Sequence, residues 1–319
     1  MVNPTPFIDA RTGVATPYGV LFPPGARVRA YVRGTTAGAP AVREGDEAIR
    51  PLMVASIGAA LKRCKSGYPD IVFVLPGHAE NCAAAGGLAN LVPGCFLIGL
   101  GDPEKDDGPT VNFTATASNW AIDDKNVTIA GLRFVAAADP VTAMLTFSAA
   151  GCRFIGNMIV TATSSARECT TCITVAAGAT NLKILRNKSR GVTGATTSVI
   201  AVSGAANDVE IAENDLQMPG STAAVGVIHV SAAATNLRVH HNTLVNSKSD
   251  STAALSVATA TAAAGKINDN DSIIYTDGVA ASTGILFAGS PSATLRCFRN
   301  YTCDEPRVSG VLSPAGCAT

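Results

Sequence analysis

The segment NLRVHHNTL (236–244) holds two of the chain's four histidines, His240 and His241, followed directly by Asn242. Alone, the dipeptide suggests a catalytic or metal site. Its meaning changes once other segments are laid beside it: GCRFIGNMI (151–159), NLKILRNKS (181–189), DVEIAENDL (208–216), AGKINDNDS (264–272) and TLRCFRNYT (294–302). Each carries asparagine at its seventh place, giving Asn157, Asn187, Asn214, Asn242, Asn270 and Asn300, at spacings of 30, 27, 28, 28 and 30. A second series, Phe147, Val175, Val202, Val230, Val257 and Phe287, keeps nearly the same period. An earlier copy, NVTIAGLRF (126–134), has Leu132 in the asparagine place.

Within each copy apolar residues alternate with charged ones. Phe154, Ile184, Ile211, Val239 and Ile267 recur at one position, next to Arg153, Lys183, Glu210, Arg238 and Lys266. Alternation with period two marks a strand with a buried face. No helical period fills the space between copies, which excludes leucine-rich and βαβ repeats. Short strands and turns at about 28 residues per repeat predict an all-β fold, a right-handed parallel β-helix whose coils stack ~4.8 Å apart. The recurrent asparagine is expected at a sharp corner, in the left-handed conformation, with its amide bonded to the copies above and below.

Composition agrees with thin stacked layers. Charged residues make up 15% and aromatics 5%, and 24 basic residues balance 24 acidic ones. That balance gives no bulk attraction for nucleic acid or for a membrane surface, so neither is expected as a partner. The N-terminal residues lack the charged and apolar regions of a secretory signal, which predicts synthesis in a cytoplasm. Nine cysteines are an odd number, so at least one stays unpaired within the chain. Cys64, Cys82 and Cys95 near the first turn, Cys169 and Cys172 three residues apart, and Cys303 and Cys317 toward the end are candidates for disulfides within or between subunits. Cys152 and Cys297 take inward places of the repeat and read as buried thiols.

The ends need covering, because an open solenoid exposes unpaired strand edges. Residues 46–65 read as an amphipathic helix with Leu52, Val54, Ile57 and Leu61 on its apolar face, a cap occupying 46–69 before the β-helix of 70–304. Residues 1–45 contain six prolines together with Phe7, Ile8, Tyr18, Leu21 and Phe22. They read as an extended arm whose apolar residues contact a neighbouring subunit. Residues 305–319 form a short tail, and that shortness favours a compact protein over a long spike.

The segment DIVFVLPGHAENCAAAGGLANLVPGCFLIGLGD (70–102), followed by NVTIAGLRF, resembles structural proteins of tailed bacteriophages that open a parallel β-helix. The likeness spans about residues 50–135. It implies a virion protein that decorates and stabilises the capsid surface. Its partner would be the major capsid protein, and it would assemble as a homotrimer. The likeness implies no cofactor and transfers no catalytic residue.

Two chemical alternatives compete with this. His78-Ala79-Glu80 with Cys169-Thr-Thr-Cys172 is similar to the signature of zinc deaminases, but Glu168 stands where that pattern needs proline, and several coils separate the halves. A polysaccharide-degrading tail spike would need two carboxylates on one face. The residues before the asparagines read Arg186, Glu213, His241, Asp269 and Arg299, so Glu213 and Asp269 lie two coils, ~9.6 Å, apart. Alternation of sign along that column is what a surface charge ladder shows. A receptor-binding fibre without catalysis is the third reading.

Overall fold

The repeat becomes three parallel ladders of strands in a computed structural model that describes residues 20, 22–33, 52–88, 91–164, 167–191, 196–218, 225–247, 253–258, 263–275, 285–287, 294–305 and 313–315. The first ladder has eleven strands, running from Leu52–Val54 and Arg27–Val32 through Asp70–Val74, Phe96–Gly99 and onward to Leu295–Phe298. Its register pairs equivalent places of the repeat: Phe154 with Ile184, Ile184 with Ile211, Ile211 with Val239, Val239 with Ile267 and Ile267 with Cys297. The second ladder stacks Met158, Lys188, Asp215, Thr243, Asp271 and Tyr301. The third stacks Phe147, Val175, Val202, Val230, Val257 and Phe287, the other sequence landmark. The chain is thus an all-β parallel solenoid.

The alternation fills the interior. Leu97, Ile129, Phe154, Ile184, Ile211, Val239 and Ile267 of the first ladder point inward with no exposure. They meet the inward residues of the other ladders in one continuous core. Trp120, Phe134, Phe154 and Phe147 form an aromatic run through it, with ring centroids 5.4–6.5 Å apart. A buried side chain of this size contributes roughly 1.5–3 kcal/mol.

The N-terminal end departs from expectation in two ways. The capping helix reduces to Ile57–Leu61, five residues started by Ser56, whose hydroxyl accepts from the Ala59 amide at 3.1 Å. Leu52–Val54, expected in that helix, is a strand instead, because its backbone finds a ladder partner in Ala30–Val32. Those partners belong to the expected arm. Arg27–Val32 lies between Leu52–Val54 and Asp70–Val74 as an integral strand of the first ladder. RVRAYV alternates as a half-buried strand does, with Ala30 and Val32 inward.

The second departure concerns Phe22. Rather than being free to meet another subunit, it is buried on this chain's own outer surface. In the early coils the outward places of the first ladder are apolar too. Ile71, Phe73, Phe96, Ile98, Ala130 and Ile155 form a second cluster, covered by Val20, Phe22 and Ala26. Phe22 packs edge-on against Phe73 and Phe96, with centroids 6.5 and 5.5 Å away. Phe7, Ile8, Tyr18 and Leu21 lie outside the described residues.

Candidate functional site

The corner between the first and second ladders holds the six asparagines, all buried. From Asn187 onward each side-chain Oδ1 accepts two bonds from the preceding coil. The backbone amide of Asn157 and its Nδ2 both reach Asn187 Oδ1, at 3.0 and 3.1 Å. The same pair of bonds joins Asn187 to Asn214, Asn214 to Asn242, Asn242 to Asn270 and Asn270 to Asn300, all within 2.8–3.2 Å. The remaining Nδ2 hydrogen donates backward to a main-chain carbonyl, as Asn214 does to Ile184 at 2.9 Å. Asn157 Oδ1 accepts from the Leu132 amide at 3.0 Å, so the ladder closes where the sequence exchanges asparagine for leucine.

The left-handed residue of that corner is not the asparagine. It is the residue before it: Arg186, Glu213, His241, Asp269 and Arg299 have φ of 52–57°, and Gly156 has 60°. The buried amide must enter the next strand in extended form to reach its neighbours, so the turn falls on the preceding, outward residue. A second left-handed column opens the strand at Asn126, Gly151, Asn181, Asp208 and Asn236. There asparagine, aspartate and glycine do serve the conformation they tolerate best.

The outward column that contains His241 resolves into ion pairs. Arg186 meets Glu213 at 3.6 Å, Arg299 meets Asp269 at 2.8 Å, and His241 Nε2 lies 3.9 Å from Asp269. The Asn268 amide and the Arg299 guanidinium hold Asp269 below its ordinary pKa, against a smaller opposing effect of burial. Glu213 and Asp269 therefore each answer an arginine, with the His241 coil between them. The neighbouring outward place is occupied at this level by His240, whose Nδ1 faces His241 Nδ1 at 2.9 Å. Its Nε2 lies 3.3 Å from Glu210 Oε1.

Glu210 is the hub of this face. Lys183 reaches its carboxylate at 3.0 Å from the coil before, and Arg238 at 3.8 Å from the coil after. Burial alone would raise its pKa. The Lys183 bond, the charges of Arg238 and Lys183 and the His240 bond outweigh that and hold the carboxyl below its ordinary value. The sequence shows Glu210 only as one outward place of the strand pattern, because the hub arises from register between coils.

The cysteines behave differently from expectation. Cys64, Cys82, Cys95, Cys169 and Cys172, offered as disulfide candidates, are free thiols, as is Cys152. Burial pushes Cys64 and Cys95 up to about 12, and it raises Cys82, Cys152 and Cys172 as well. A thiol held protonated in an apolar interior is a poor nucleophile and a poor metal ligand. Cys169 and Cys172 sit in the strand Arg167–Val175. Cys297, expected as a buried thiol, is instead disulfide-bonded, with a partner side chain outside the described set. The side chains of Cys303 and Cys317 also lie outside it.

The zinc-like halves stay apart in role. His78 Nε2 lies 3.1 Å from Glu80 Oε2, which also accepts the Ile57 amide at the start of the short helix. Cys172 has Cys169 as its side-chain partner. Among the described residues no three His, Cys, Asp or Glu side chains gather to hold a metal ion. Also among them, no helix is long and apolar enough to cross a membrane.

A groove of about 550 Å³ lies at the N-terminal end of the outward face, lined by Phe22, Pro24, Tyr68, Phe96, Thr128 and Arg153 among others. Arg27 and Lys65 stand over the Tyr68 ring, 4.7 and 4.6 Å from its centroid. Comparison with protein-family models, with curated proteins and with solved structures finds no match to this chain.

Proposed function

We propose that this chain is a structural protein of a tailed-phage virion, a right-handed β-helix that decorates the capsid surface, binds the major capsid protein and reinforces the shell as a homotrimer. The likeness carried by residues 70–102 supports the virion role. The observation that carries a structural over a catalytic reading is the state of the outward carboxylates. Glu213 and Asp269, the candidate hydrolytic pair, are each matched to an arginine of an adjacent coil. A general acid needs a raised pKa, and Asp269 is shifted the other way. The asparagine ladder bonds each coil to the next along the stack, which suits a protein that reinforces a shell.

The test is location and effect on particles. Heads purified with and without the protein are compared by labelling and by resistance to heat and to low ionic strength. The proposal expects the protein on the shell and less stable heads in its absence. Placement at the tail tip favours the spike or receptor-binding reading. Absence from particles overturns both.

A further inference from the structure

One outward column of the first ladder runs Phe96, Thr128, Arg153, Lys183, Glu210, Arg238, Lys266 and Arg296, each in register with the next. Three of its contacts set like charges directly opposite one another: Arg153 with Lys183, Arg238 with Lys266, and Lys266 with Arg296. Such pairs destabilise a sheet. The net charge of the chain is zero, so this crowding is local and is not a consequence of a basic protein. Glu210 relieves only the middle, by taking Lys183 and Arg238. Arg153, Lys266 and Arg296 are exposed and make no ion pair among the described residues. The column is ~24 Å long from Arg153 to Arg296 at the interstrand spacing. At its other end, Arg153, Thr128 and Phe96 continue into the groove beside Tyr68.

We infer that this column is a binding track for a linear acidic polysaccharide, one carrying carboxylates or sulfates along an extended chain. Anionic groups laid along the track would neutralise cations that the fold leaves uncompensated, releasing counterions as they bind. An extended glycan advances per sugar by roughly the distance that separates successive coils. The groove, with its apolar and aromatic wall next to Arg153, would take the end of the chain. Single-stranded nucleic acid would need stacking platforms along the track, and the column carries no aromatic residue from Thr128 to Arg296. Glu210 sits in the middle as a negative gap and restrains two of the cations. A polyanion on this column neither requires nor excludes a place on a phage head.

The full chain is titrated into end-labelled oligogalacturonate, with neutral dextran and oligo-dT as comparisons, and binding is followed by fluorescence anisotropy. The double variant Lys266→Gln/Arg296→Gln is expected to weaken oligogalacturonate binding about tenfold or more at about 50 mM salt, and wild-type binding should fall steeply by about 200 mM. Arg153→Gln should also weaken it. Glu210→Gln should strengthen it several-fold by freeing Lys183 and Arg238, a gain that no unfolding artefact produces. Circular dichroism melts confirm that each variant is folded. Binding no tighter than to dextran, binding unchanged in the double variant, or no gain in Glu210→Gln overturns the inference. So does tighter binding of oligo-dT than of oligogalacturonate.

Discussion

Replacing Asn214 by alanine tests the reasoning on which the fold rests. Four hydrogen bonds end on that side chain: two accepted from the Asn187 amide and Nδ2, and two donated to Ile184 and to Asn242. Asn187 Nδ2 keeps its bond to the Phe154 carbonyl, and Asn242 Oδ1 keeps the Asn214 main-chain amide. The Asn187 amide has no such reserve. It is left buried and unpaired, at a cost of about 1–3 kcal/mol, and the lost bonds add about 1 kcal/mol each where their partners stay dry. A total of about 3–5 kcal/mol follows, against a stability of typically 5–15 kcal/mol for a folded domain. Because each coil touches only its neighbours, the loss falls on one interface. Urea denaturation followed by circular dichroism should show a lowered midpoint and a second transition, as the coils on either side begin to unfold separately. Glu213→Gln, one residue away and exposed, should stay within about 0.5 kcal/mol of wild type. If Asn214→Ala matches Glu213→Gln, the ladder carries no stability and the reasoning is refuted.

Three other outcomes are expected. Phe22→Ala should cost about 3–5 kcal/mol and increase binding of a hydrophobic dye, because it uncovers Phe73 and Phe96; no loss would mean that residues 20–26 do not seal the outer face. Glu210→Gln should cost less than about 1 kcal/mol at neutral pH, since the site is partly wet; its carboxyl has a lowered folded pKa, so the wild-type advantage is full above pH 4.5 and disappears as pH falls through that folded pKa, which melts across pH 2–7 would show. In the native protein the buried thiols should resist a thiol reagent, and after denaturation without reductant no more than seven of the nine cysteines should react, because Cys297 and its partner are joined; nine reactive thiols would contradict the disulfide.

The coil period, the strand places and the asparagine ladder were legible because each repeats, and a repeated landmark needs no knowledge of long-range contacts. The third-ladder series beginning at Phe147 was readable for the same reason. What the sequence concealed is what occurs once. Arg27–Val32 joins the first ladder although it precedes the repeats, and a single alternating hexapeptide carries little signal among prolines. Leu52–Val54 satisfies a helical pattern as well as a strand pattern over three residues, and only the strand partner decides it. The conformation of the corner was misassigned by one place, since asparagine tolerates the left-handed region but here is needed inside. The Glu210 hub depends on which charges register brings together, and the raised pKa of the buried thiols depends on how dry their surroundings are.

The asparagine ladder also has a direction. Every Oδ1 points toward the N-terminal coils and every ladder-forming Nδ2 toward the C-terminal ones, so the six amide dipoles add along the axis. Its two ends are therefore not equivalent. The first asparagine needs only a backbone donor below it, and Leu132 supplies one without any special side chain. Extension past the last would have to bring an acceptor into register with Asn300. Within the run, a duplicated coil brings one donor set and one acceptor set and leaves nothing unmatched. Lengthening by whole interior repeats is thus chemically neutral at this corner, whereas a deletion that removes the asparagine of a coil strands a buried amide. Rods of this kind can change length in whole coils and in no smaller step.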